Sequence, residues 1–191
     1  LLFIFLPTFY NLSLGLALST IGLVILLSRF FDVISDICIG YLSEKRILNG
    51  YSKKNQIILG LVIFIFSLIG LYVVQPTNIF LFVFYYNLAL ISYSIAIIPY
   101  DSIVIDQKKI LNKRFQLATV KEIFTISGVV AALVIPTAIS KYLSLDLLDP
   151  IVIQISGYII ISLASFGVLI FYFLYDDEIN YLSSSIKFNE I

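Results

Sequence analysis

Apolar residues run along this chain in long blocks, and polar residues collect in short breaks between them. Blocks at residues 18–43, 56–74, 79–105, 118–143 and 151–175 are each long enough to span a membrane, since a helix needs roughly 20 mostly apolar residues to cross about 30 Å of hydrocarbon. The opening run, residues 1–10, would rise only about 15 Å as a helix. It reads as the outer half of a first helix, followed by an uncharged connection at residues 11–17. It has neither the basic n-region nor the small-residue cleavage site of a signal peptide. The pattern predicts an all-α fold, a polytopic transmembrane helical bundle of five full spans and a truncated first helix.

Composition agrees with that pattern. Of 191 residues, 60% are hydrophobic and only 13% are charged, whereas soluble domains carry about 25% charged residues. Histidine is absent and Cys38 is the single cysteine, which removes imidazole ligands, histidine bases and any disulfide within the chain. No activated nucleophile, zinc spacing or phosphate loop is found, so an enzyme is not expected, nor a cofactor other than a coupling ion. The formal net charge is zero, and no overall field draws the protein to nucleic acid. Methionine is also absent, and a chain starting at Leu1 is therefore expected to be an excerpt of a longer protein.

The charges are unevenly placed. Lys45, Arg46, Lys53 and Lys54 lie between the second and third spans, and Lys108, Lys109, Lys113 and Arg114 between the fourth and fifth. The positive-inside rule puts these two alternate loops in the cytoplasm. The chain after the sixth span returns to the same side, so the expected organisation is a bundle over residues 1–178 and a cytoplasmic loop or linker over residues 179–191.

Several charges fall inside the spans, where an ionisable residue costs about 2.5 to 3.5 kcal/mol on insertion scales and persists where it meets a cavity or a partner. Arg29, Asp32 and Asp36 are spaced three and four apart, and at about 100° per residue they share one arc of a helix. Ser28 and Ser35 lie beside them, and Gly22 and Gly40 extend the face, where small residues would let a neighbouring backbone approach. Two carboxylates one turn apart repel unless an arginine, a proton or a bound cation compensates. Oxygen ligands suit Na⁺, and a carboxyl pair can equally take a proton. The structural alternative is that Arg29 pairs with an aspartate only to hold helices together. In the fourth block, Tyr93 and Ser94 precede Pro99, which deprives the helix of a hydrogen bond, and Ser94 and Asp101, seven apart, share a face. In the fifth, Lys121, Thr125 and Gly128 fall on one stripe, with Glu122 adjacent.

These residues resemble a known pattern. The run Arg29-Phe30-Phe31-Asp32-Val33-Ile34-Ser35-Asp36, followed by Gly40-Tyr41-Leu42-Ser43-Glu44-Lys45-Arg46, is similar to the second helix and following loop of major facilitator superfamily transporters. More narrowly it resembles the glycoside-pentoside-hexuronide:cation symporters, the melibiose permease group, with R-x-x-D-x-x-x-D and then G-x-x-S-D-R. Ile98-Pro99-Tyr100 matches that family's I-P-Y/F element, and Val120-Lys121-Glu122-Ile123-Phe124 up to Gly128 its W-R-E-x-F-x-x-x-G pattern. The resemblance spans residues 6–175 and implies the amino-terminal six-helix half of such a transporter. It implies that Asp32 and Asp36 hold the coupling cation with Ser35 and Ser94 as polar neighbours. It further implies that Tyr93 and Lys121 belong to the solute site, and that Gly40, Glu44, Arg46 and Pro99 have structural or gating roles. The chain departs from the family in Glu44, which replaces an Asp, in Ile37 for a Pro, in Ile97 for an Asp and in Asp101 for an aromatic residue.

The functional expectation is a Na⁺- or H⁺-coupled symporter in which a sugar or other small polar solute is held partly by Tyr93, Asp101 and Lys121. Its partners would be a monovalent cation, a glycoside-like solute, membrane lipid and the missing carboxy-terminal half of the same chain. Its location would be a bacterial cytoplasmic (inner) membrane. The reading from another class is a non-transporting bundle for assembly or lipid interaction, with purely structural buried charges.

Overall fold

A computed structural model describes residues 6–15, 17–106 and 111–175. The regular elements among them are all helical: α1 (Leu6–Leu14), α2 (Leu18–Leu48), α3 (Lys53–Leu68), α4 (Ile79–Asp106), α5 (Leu111–Leu143) and α6 (Pro150–Leu174). A π-helical segment, Ile69–Val74, continues α3. Residues 1–5, the loop lysines Lys108 and Lys109 and the expected linker at residues 179–191 lie outside the described residues.

The five long apolar blocks are the five long helices. One boundary is corrected: residues 11–14, read as a connection, are the last part of α1. Asn11 and Ser13 gave the appearance of a break, but one or two such residues cost a helix only a few tenths of a kcal/mol each. The other ends follow local chemistry. The Ser52 hydroxyl accepts from Asn55 N at 3.2 Å to cap α3. Asp149 Oδ1 accepts from Ile151 N at 2.9 Å to cap α6, whose first residue is Pro150. After α2 the chain turns at Gly50, whose φ of +82° is open to glycine at little cost.

Within the bundle α3 and α4 form the central pair. A Cβ added at Gly60 would lie 2.7 Å from Ala96 N and 2.9 Å from Ser92 O, so glycine is what lets these backbones close up. Gly70 faces the Tyr85 ring and Gly157 faces Tyr72 in the same way. Helix α2 lies on α4, α6 lies on α3 and its π extension, and α5 lies on α6 with a lighter contact to α4. The expectation for Gly22 and Gly40 is corrected, because a Cβ at either would meet nothing within 4 Å among the described residues.

The apolar core sits at the end of the bundle remote from the two basic connections. It gathers Leu6, Phe9 and Tyr10 of α1, Ile21 of α2, Leu68, Leu71 and Tyr72 of α3 and its extension, Phe82 and Tyr86 of α4, and Ile153 of α6. The π segment there would leave carbonyls unsatisfied in hydrocarbon, where each is expensive. Tyr10 Oη donates to Leu71 O at 2.9 Å and Gln154 Nε2 to Val73 O at 3.3 Å. In the other half α3 and α4 stay closely packed, and a cleft opens between α4 and α5. Four helical stretches, Lys53–Val74, Ile79–Ile103, Phe115–Leu143 and Pro150–Leu174, are long and apolar enough to cross a membrane. The 31-residue α2 is also long enough, but it carries the three interior charges.

Candidate functional site

Two polar centres face the interior, one on α2 and one between α4 and α5. On α2 the inward stripe runs from buried Ile21 through buried Ser28, half-buried Asp32, Ser35, Asp36 and Gly40 to buried Ser43. Ser43 Oγ donates to Gln56 Oε1 of α3 at 3.1 Å, which ties down the loop-side end of the helix. Arg29 lies at the border of this stripe. Its Nη1 donates to Asp32 Oδ2 at 3.0 Å, with the arginine side chain 46% exposed and the aspartate 14%.

That bond leaves the acids incompletely served. Oδ1 of Asp32 and Oδ1 of Asp36 are both buried, and neither receives a hydrogen bond. Ser35 Oγ donates to the backbone carbonyl of Asp32 at 2.8 Å rather than to either carboxylate, though its own lone pairs remain able to ligate. Ser94 is buried on α4 but hydrogen-bonds to neither aspartate. The Tyr86 phenol of α4, a residue that sequence reasoning missed, is buried and close enough to interact electrostatically with both Arg29 and Asp32. Among 29 Tyr and Phe residues nothing marked it out, except that it precedes Tyr93 by seven and so shares its helical face.

A buried carboxylate oxygen without a donor is costly, and two like charges one turn apart aggravate the cost. The formal charges of Asp32, Asp36 and Arg29 sum to minus one. A single proton or monovalent cation balances that sum, and the orphaned oxygens are hard ligands of the sort that Na⁺ accepts. The residues present therefore fit such an ion.

The second centre is a cavity of about 510 Å³ between α4 and α5, lined by Tyr93, Ile97, Tyr100, Leu117, Val120, Lys121, Phe124 and Thr125. Its volume falls in the range of small-molecule sites. Lys121 Nζ donates to Asp101 Oδ1 across the two helices, and Tyr93 and Glu122 lie close enough to interact electrostatically with the lysine. The structure thus brings Tyr93, Asp101 and Lys121 together. Asp101 lies about one turn and a half before the end of α4 and Lys121 nearly three turns into α5, and the long lysine side chain reaches across to the carboxylate. The lysine is 28% and the aspartate 41% exposed, so the pair borders open space rather than dry packing. Thr125 Oγ1 is bonded to Lys121 O at 2.9 Å.

The remaining expected positions are structural in their surroundings. Pro99 is buried inside α4, and Ser102 Oγ donates to its carbonyl at 2.7 Å. Glu44 is exposed at the loop end of α2. Arg46 is exposed too, with its guanidinium over the Tyr51 ring at 5.6 Å, which stiffens the turn into α3.

Compared with known proteins, the chain matches a family model described as MFS/sugar transport protein over residues 1–187. No curated protein and no solved structure matches it.

Proposed function

The chain belongs to the MFS/sugar transport protein family, and from that premise we propose that it is a cation-coupled symporter of a glycoside-like solute, of the melibiose permease type. Membership makes it an integral membrane protein of a transport family that handles small solutes. Cation coupling is our own reading. The observation that carries it is the pair of buried, donorless Oδ1 atoms on Asp32 and Asp36, one helical turn apart, with only Asp32 served by Arg29.

In this reading Na⁺ or H⁺ supplies the missing positive charge at Asp32 and Asp36. The solute occupies the cavity lined by Tyr93 and Lys121, with Asp101 at its border. Helix α4 is the physical link between the two. Tyr86, beside Arg29 and Asp32, and Tyr93, beside Lys121, are seven residues apart, which is about 10 Å of rise on nearly one face. A shift of α4 on loading one site therefore moves a wall of the other. Such coupling is reciprocal: if the cation raises solute affinity by some factor, the solute raises cation affinity by the same factor. Co-loading would let this bundle rock against a second six-helix half. The basic connections would face the cytoplasm across a bacterial inner membrane.

The test is uptake of radiolabelled glycosides by membrane vesicles carrying the protein, with a Na⁺ or proton gradient imposed. Wild type should concentrate a solute in response to one of the gradients, and Asp36→Asn, present in the membrane at equal amount, should lose that response. Gradient-driven uptake that is unchanged in Asp36→Asn would reject the proposal. Loss of the protein from the membrane instead would favour a structural role for the charge.

A further inference from the structure

The Asp101–Lys121 pair has a consequence for what the cavity accepts, on the reading that this cavity is the solute site. Lys121 lies six residues inside the span Phe115–Leu143, and Asp101 two residues inside the end of Ile79–Ile103. A lone ammonium at such a depth, beside the rings of Tyr93, Tyr100 and Phe124, would be a strong and specific attractor of carboxylates. It is not alone, because Asp101 Oδ1 accepts a hydrogen bond from it. The ammonium retains two further donors and the carboxylate a second oxygen, and both groups are partly exposed. That combination offers donor and acceptor side by side, as neighbouring hydroxyls require, while presenting no net charge from the pair. The ring faces supply apolar area against which the C–H face of a sugar ring can lie.

We propose that Asp101 and Lys121 form a mutually masked charge pair that makes this cavity select uncharged polyhydroxylated solutes over their carboxylate- and ammonium-bearing analogues. A uronate would have to strip Lys121 from its partner and leave the Asp101 carboxylate facing its own. An amino sugar meets the converse penalty. Glu122, although adjacent, is exposed on a neighbouring face and is not bonded to Lys121 among the described residues. The masking therefore belongs to Asp101.

The experiment is competitive binding to the protein in lipid nanodiscs, using three methyl hexoside series: the neutral glycosides, the matching uronates and the matching amino sugars. Wild type should prefer the neutral series. Asp101→Asn should raise the uronate-to-neutral affinity ratio at least tenfold, and Lys121→Gln should raise the amino-sugar-to-neutral ratio similarly. The double variant should return to neutral preference, and Glu122→Gln should match wild type. Ratios that stay put in both single variants while neutral glycosides still bind would overturn the inference and leave the solute site standing. An equal shift in Glu122→Gln would overturn it too, by showing a general field in place of a pair. Failure of every form with wild-type melting to bind any probe would overturn the solute site, and this inference with it.

Discussion

Arg29 reaches Asp32 through Oδ2 alone, at 3.0 Å, and leaves Oδ1 of the same carboxylate buried without a donor. The arginine is therefore a partial counter-charge, and its removal should not mimic removal of an acid. In cation-free buffer Arg29→Gln should be less stable by about 0.5 to 1 kcal/mol, the modest figure reflecting a half-exposed partner. Saturating cation should restore most of that loss, because a site whose formal charge has fallen to minus two attracts the ion more strongly than the wild-type site. Melting temperatures with and without cation check this, and a deficit independent of cation would count against it.

Close packing of α3 on α4 rests on Gly60. Gly60→Leu should cost at least 1 to 3 kcal/mol, the usual penalty of overpacking, since its first carbon already meets Ala96 N at 2.7 Å. Gly40→Ala, with nothing within 4 Å, should be neutral or stabilising by up to about 1 kcal/mol through helix propensity. Thermal melts of the two variants in one detergent compare them directly.

That contrast shows where sequence reading stops. Block lengths were enough to find the long helices, because a membrane span is set by length and apolarity, which a single chain displays. Which glycines meet a neighbour depends on helix rotation and partner, so the sequence pointed to Gly22 and Gly40, on the charged face, and not to Gly60, Gly70 and Gly157. The α2 trio was legible because three and four are helical spacings. The Asp101–Lys121 bond was not drawn from spacing, because it joins two helices whose relative placement a single chain does not display. Tyr86 was hidden by abundance, and the π segment by having no sequence signature of its own.

Tyr10→Phe should remove the donor that serves Leu71 O in the π segment, at 2.9 Å. Leaving a buried carbonyl unserved costs about 1 to 3 kcal/mol, and hydrogen exchange should rise first in Ile69–Val74. Wild-type protection of that segment in the variant would show that the bond is dispensable.

Orientation is testable through Cys38, the single cysteine. In a Cys38→Ser background, a cysteine placed at Asn49, in the turn between α2 and α3, should react with an impermeant maleimide in inside-out vesicles. A cysteine at Thr77, before α4, should react in right-side-out vesicles. The opposite labelling would invert the assignment of the basic loops to the cytoplasm.

The most direct measurement of the central claim is the stability of the purified protein against Na⁺ concentration at constant ionic strength, repeated over a range of pH to detect proton competition. A cation bound between Asp32 and Asp36 stabilises by RT ln(1 + [L]/Kd), about 2.7 kcal/mol at one hundred times Kd. Wild type should therefore show a saturable rise in melting temperature with Na⁺, or with falling pH if the proton is the ligand, and Asp36→Asn should show neither. A melting temperature indifferent to both ions in wild type, or an identical rise in Asp36→Asn, would contradict the account.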